Sequence, residues 1–132
     1  MISMRFVILH HSLDRGEHWD LMLEYGGKLA TWRLDRRPQS PADLPLPARR
    51  LADHRPAYLT YEGEIGRGRG RVRRVDDGQH RMIRQSGVEW VFELAGRRLS
   101  GHFRLRHLDG DHWTFEALPD ETTTSQGAIT SS

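Results

Sequence analysis

The chain has 132 residues, a formal net charge of +2 and no cysteine. That length suits one domain able to bury roughly two-thirds of its unfolded surface without cross-links. The missing thiols exclude a disulfide framework, a thiolate zinc site and a cysteine nucleophile. No apolar run reaches the ~18 residues of a membrane helix, and residues 1–7 are too short for a secretory core, so a soluble, cytoplasmic protein is expected.

Apolar and polar residues alternate over 5–10, 18–25 and 28–34, which predicts strands, with Gly26-Gly27 as a tight hairpin between the second and third. Prolines at 38, 41, 45, 47 and 56 break the pattern. Residues 36–56 are therefore expected to form a long irregular connection, with at most one helical turn near 48–52. Alternation returns over 88–94, 98–108 and 112–118, with turns at Ala95-Gly96 and over 108–111. Beyond Pro119 the chain has almost nothing to bury, so 119–132 is expected to be a disordered tail behind one domain, 1–118. Many short strands with little helix predict an all-β fold, a small closed or nearly closed barrel carrying a long Pro-rich loop.

The stretch His18-Trp19-Asp20-Leu21-Met22-Leu23-Glu24-Tyr25 holds the strongest chemical signal. On a strand, side chains alternate between faces. Trp19, Leu21, Leu23 and Tyr25 then form a core face, while His18, Asp20, Met22 and Glu24 project to the other side. His18 and Asp20 become neighbours able to converge on one ion. A short turn through residues 13–16 would fold His11 toward them. Two histidines and a carboxylate, read by ligand type alone, point to iron or zinc before manganese.

His54 and Tyr58, either side of Pro56, form a second cluster. Both could donate to a phosphate oxygen, and a capping histidine with a core tyrosine would show the same spacing. Gly66-Arg67-Gly68-Arg69-Gly70-Arg71-Val72-Arg73 lacks acidic residues and would align its arginines on one face if extended. Such a stripe suits a nucleic-acid backbone, and it suits a solvated edge strand equally. Lys28 is the only lysine, and arginine's planar fork matches phosphate oxygens in pairs. His80, His102, His107 and His112 have no comparable partners in sequence and read as surface groups.

In their order along the chain, the segments Phe6-Val7-Ile8-Leu9-His10-His11, His18-Trp19-Asp20, Leu29-Ala30-Thr31-Trp32, Asp53-His54-Arg55-Pro56-Ala57-Tyr58 and Tyr61-Glu62-Gly63-Glu64-Ile65 resemble the 3′-phosphoesterase domain of bacterial DNA ligase D. The resemblance covers roughly residues 4–118. It implies a small β-barrel whose manganese-dependent activity trims nucleic-acid 3′ ends, removing a terminal ribonucleoside and then the 3′-phosphate in support of non-homologous end joining. By the same resemblance His11, His18 and Asp20 would hold Mn2+, and His54 and Tyr58 would contact the scissile phosphate. The implied partners are DNA or RNA-tailed DNA 3′ ends and end-joining ligase and polymerase proteins, with no membrane.

Three departures qualify the transfer. The family's His-x-Asp-x-Arg reads His18-x-Asp20-x-Met22, so an arginine expected to clamp phosphate is missing, and Arg67, Arg69 or Arg71 is expected to replace it. The spacing from His11 to His18 is one residue longer than the common form. The family's N-terminal extension is absent, so a small stand-alone relative is expected. Two alternatives stay open: a nucleic-acid-binding module without catalysis, and a non-heme iron oxygenase completed by His102 or His107.

Overall fold

The computed structural model describes residues 4–119; the tail expected over 119–132 lies, beyond Pro119, outside the described residues. Nine strands follow one another: β1 (Met4–Ser12), β2 (Glu17–Tyr25), β3 (Lys28–Leu34), β4 (Leu46–His54), β5 (Gly63–Glu64), β6 (Arg71–Gln85), β7 (Glu89–Gly96), β8 (Ser100–Asp109) and β9 (His112–Leu118). Neighbours run β1-β2-β3-β4-β9-β8-β7-β6, and β1 pairs again with β6, closing an eight-stranded antiparallel barrel. β5 is a two-residue strand laid against the start of β6. Closure leaves the barrel strands without free edges. Among the described residues no helix is long and apolar enough to cross a membrane.

The period-two pattern sorts the side chains into two cores. Phe6 and Ile8 of β1, Leu21 and Leu23 of β2, and Ala30, Trp32 and Leu34 of β3 point into the barrel with Phe92, Phe103 and Phe115. Val7, Leu9, Met22, Leu29 and Val72 point the other way and pack under Leu59, Tyr58 and Ile65, a second core on the outside of the barrel. The outer face of β1 and β2 is therefore roofed: Asp20 is 4% exposed and Met22 1%. Tyr25, expected on the core face, is instead exposed, with its hydroxyl donating to Gln85.

Four expectations are corrected. Nine residues of the supposed irregular connection form β4, whose Leu46 and Ala48 enter the core, and the turn of helix is a 3-10 turn at Pro41–Asp43 rather than 48–52. Ala95 and Gly96 belong to β7, and the chain turns after them. There Asp76, buried on β6, accepts hydrogen bonds from the backbone N–H groups of Arg97, Arg98 and Leu99 at 2.7–3.0 Å. The arginine stripe is not continuous, because Arg67 sits at φ 62° in the turn entering β6 and only Arg71 and Arg73 are extended. His80 is buried rather than superficial, its Nε2 donating to Glu24 O at 2.8 Å, and His102 is largely covered too.

Candidate metal centre and adjoining cleft

The β1–β2 hairpin places His11 directly opposite His18, on the outer face. His11 Nδ1 lies 2.9 Å from His18 Nε2, and His18 Nε2 lies 3.6 Å from Asp20 Oδ2. One ligand atom from each residue falls within 4.8 Å of the others. Ligands about 2.1 Å from an ion and at right angles to each other stand about 3.0 Å apart, so the imidazole pair has the spacing of two ligands on one ion.

The tautomer supports the same reading. His11 Nε2 is 2.6 Å from Arg69 O, and a carbonyl only accepts, so Nε2 carries the proton and Nδ1 offers its lone pair. A ring N–H given to a backbone carbonyl is the usual way a metal-binding histidine is oriented. Gly70 permits this contact. It has φ 92°, and a Cβ there would stand 2.2 Å from Ser12 O and 3.1 Å from His11 Nε2.

The roof of the second core supplies the rest. Pro56 starts a 3-10 turn, Pro56–Leu59, and Leu59 is buried against the barrel. This fixes Tyr58 beside His54, the last residue of β4, with ring centroids 5.5 Å apart. His54 Nδ1 lies 3.0 Å from Ala52 O, so it donates there and leaves Nε2 for a ligand. Opposite them, Arg33 on β3 faces Asp20 on β2, with Nε 3.3 Å from Asp20 Oδ1. A cleft of about 150 Å³ is lined by His11, Asp20, Arg33, His54, Tyr58 and Arg69 together with apolar residues of the second core.

The structure thus brings together five of the predicted residues, His11, His18, Asp20, His54 and Tyr58, drawn from three strands and one turn. Of the three arginines expected to replace the one missing at Met22, Arg69 lines the cleft. Arg67 and Arg71 do not, and Arg71 is paired with Glu64 at 3.2 Å. His102 and His107 lie on β8, near Glu93 and against Gly110 O respectively, away from this group. Arg33 is the cleft residue that sequence reasoning missed. Its signal was present, since a two-residue turn at Gly26-Gly27 pairs residues equidistant from it and so sets Arg33 opposite Asp20.

A family model, the DNA ligase D 3′-phosphoesterase domain, matches residues 9–107. The multifunctional non-homologous end joining protein LigD of Mycobacterium bovis is 30% identical over 124 residues, covering 88% of this chain and 16% of that protein. The multifunctional non-homologous end joining DNA repair protein LigD of Mycobacterium tuberculosis gives the same identity and coverage. The chain therefore spans about a sixth of the length of these relatives. A match over most of the chain, on a closed barrel that gathers the motif residues on one face, shows that this chain belongs to the DNA ligase D 3′-phosphoesterase domain family.

Proposed function

We propose that this chain is a metal-dependent phosphoesterase that removes the 3′-phosphate, or a terminal ribonucleoside, from nucleic-acid strands during end joining. The observation that carries the reading is the cleft itself. Two of the three candidate metal ligands, His11 and Asp20, line it with two arginines, a histidine and a tyrosine from distant parts of the chain, a space suited to a phosphoryl group, and His18 stands beside them. General clustering of polar groups does not account for a carboxylate only 4% exposed beside a histidine pair at ligand spacing.

His11, His18 and Asp20 would hold the cation, for which the family resemblance suggests manganese, and the second core under Met22 and Leu59 would keep their strands from splaying. When bound, the ion supplies Lewis-acid polarisation of a phosphoryl oxygen. The protein's own groups do the remainder. Arg33 and Arg69 offer fixed positive charge to the non-bridging oxygens, and arginine forks match such oxygens in pairs. Tyr58 donates its hydroxyl to the phosphate.

His54 would act in its doubly protonated form, its Nδ1–H held by Ala52 O while the Nε2 proton passes to the leaving 3′ oxygen. In the hydrolysis of a 3′-phosphate, a water oxygen bonds to phosphorus as the bond from phosphorus to the 3′ oxygen breaks. The 3′ oxygen keeps that electron pair and takes the proton, while the water's proton passes to solvent. The products are a 3′-hydroxyl and inorganic phosphate.

The test is a labelled primer-template ending in either a 3′-phosphate or one 3′-ribonucleotide, incubated with manganese and analysed for the new end. A 3′-hydroxyl with release of phosphate supports the reading. Salt-dependent binding of the same duplex without any trimming replaces it with a binding-only module.

A further inference from the structure

A second depression of about 230 Å³ opens directly beside the metal cleft, and the two share Tyr58, Ile65 and Arg69 as a common wall. Its other side chains include Arg55, Tyr61 and Glu64. From this arrangement we infer that the depression is a nucleotide subsite. It receives the nucleoside that bears the scissile phosphate, stacks its base on Tyr61 and meets the preceding backbone phosphate with Arg55. The inference rests on the phosphoesterase reading for the position of the scissile phosphate, and on the pocket's own chemistry for the rest.

The aromatic wall is preorganised. Tyr58 and Tyr61 stand edge to face with centroids 6.3 Å apart, and the Tyr61 hydroxyl donates to Glu64 O, which fixes its ring. Tyr61 is nevertheless 41% exposed, which leaves ring surface open to a ligand in the depression. A base is a fitting cover, since stacking on an aromatic side chain is how proteins hold single-stranded ends without reading sequence.

The charge pattern agrees. Among the described residues neither Arg55 nor Arg69 forms an ion pair, and the Arg69 guanidinium Nε donates only to Gly66 O. The one carboxylate of the pocket, Glu64, is offset by Arg71 at 3.2 Å. Two uncompensated guanidinium groups flanking the exposed Tyr61 and the half-buried Tyr58 suit an anionic, base-bearing ligand rather than an apolar or cationic one. Arg69 also joins the two spaces through its backbone, because its carbonyl receives the His11 N–H.

The experiment uses the whole chain with manganese and duplexes whose 3′-phosphate sits on either a normal or an abasic terminal nucleoside. Wild type is expected to lose about ten-fold in kcat/KM on the abasic end. Tyr61→Ala should lose the same factor on the normal end and nothing further on the abasic end, while Tyr61→Phe, which keeps the ring, stays close to wild type. Anisotropy of a labelled strand gives a second readout that needs no turnover. If wild type binds but does not trim, the same coupling in binding upholds the subsite while the phosphoesterase reading alone fails. Equal losses on both ends for Tyr61→Ala, or no loss in either readout, overturn the subsite while leaving any wild-type trimming untouched.

Discussion

Arg33 Nε lies 3.3 Å from Asp20 Oδ1, across the register pair that joins β3 to β2. The arginine is 38% exposed at its side chain and the carboxylate 6%, so one guanidinium both faces the cleft and partners a nearly dry negative charge. It stands one strand over from Met22, where the family motif would carry an arginine. Arg33→Ala is expected to lower turnover by about 10²-fold, the usual loss for one preorganised donor to a reacting oxyanion. Because the pair is partly solvated, the loss of stability should be only about 1 kcal/mol, and larger without metal than with it. Steady-state kinetics beside thermal unfolding with and without manganese would check both numbers. Full turnover in Arg33→Ala would leave position 22 uncompensated.

Gly70 allows the turn before β6 to approach His11. Gly70→Ala would force a Cβ to within 2.2 Å of Ser12 O at a φ of 92°, so either the turn or His11 must move. The expected result is a loss of about 1–3 kcal/mol in stability and a drop of about ten-fold or more in manganese affinity, as when a ligand's orienting partner is displaced. Calorimetric titration with manganese measures the second effect independently of the first.

Asp76 predicts a contrasting phenotype. Its carboxylate holds three backbone N–H groups of the β7–β8 turn and lies away from the cleft-lining residues. Asp76→Ala should destabilise the barrel by on the order of 3 kcal/mol, since buried donors lose a charged acceptor. Manganese affinity of the folded fraction should not change. Urea denaturation followed by titration of the variant at low temperature separates the two effects.

The pH dependence of stability follows from two groups. Burial pushes the His80 pKa below its ordinary 6.5, and this outweighs the raising effects of the Glu24 carbonyl hydrogen bond and charge. The unfolded chain then takes up a proton near pH 6.5 that the folded chain refuses, so stability falls as pH drops from about 6.5 toward the lowered folded value. His80→Gln, which can still donate to Glu24 O, should flatten that part of the curve. Glu116 acts lower on the scale. Burial alone would raise its pKa, but hydrogen bonds and charge from Arg104 and Arg106 together hold it below the ordinary 4.5. Its contribution is present above 4.5 and lost as pH falls through the lowered value. Urea midpoints between pH 3 and pH 8 for wild type and His80→Gln would trace both slopes.

Where apolar residues alternate, the strands were legible: β2, β3 and β9 begin and end within a residue of the pattern. β4 and β6 were not, and the reason is what they bury. β4 places Arg50 toward the core, with its guanidinium 4.4 Å from the Trp32 ring centroid and 5.2 Å from that of Trp90, so a charge occupies a position where the pattern demands an apolar residue. β6 buries Asp76 and His80, packs Gly78 against Ala95 O, and shifts register past Met82, which erases the period. The cluster of His11, His18 and Asp20 was legible because the three share one hairpin. Arg33 required the register as well as the motif, and the roof over Asp20 depends on a contact between the Pro56–Leu59 turn and β1 and β2 that no local pattern encodes.

The most direct measurement is manganese-dependent trimming of a 3′-phosphate primer-template by wild type, His11→Ala and His54→Ala, with manganese binding to each protein measured by titration. The account predicts that wild type binds and trims, that His11→Ala loses both, and that His54→Ala still binds the ion but trims about 10²-fold more slowly. Undiminished trimming in His11→Ala, or manganese binding that ignores its loss, would contradict the assignment of the centre.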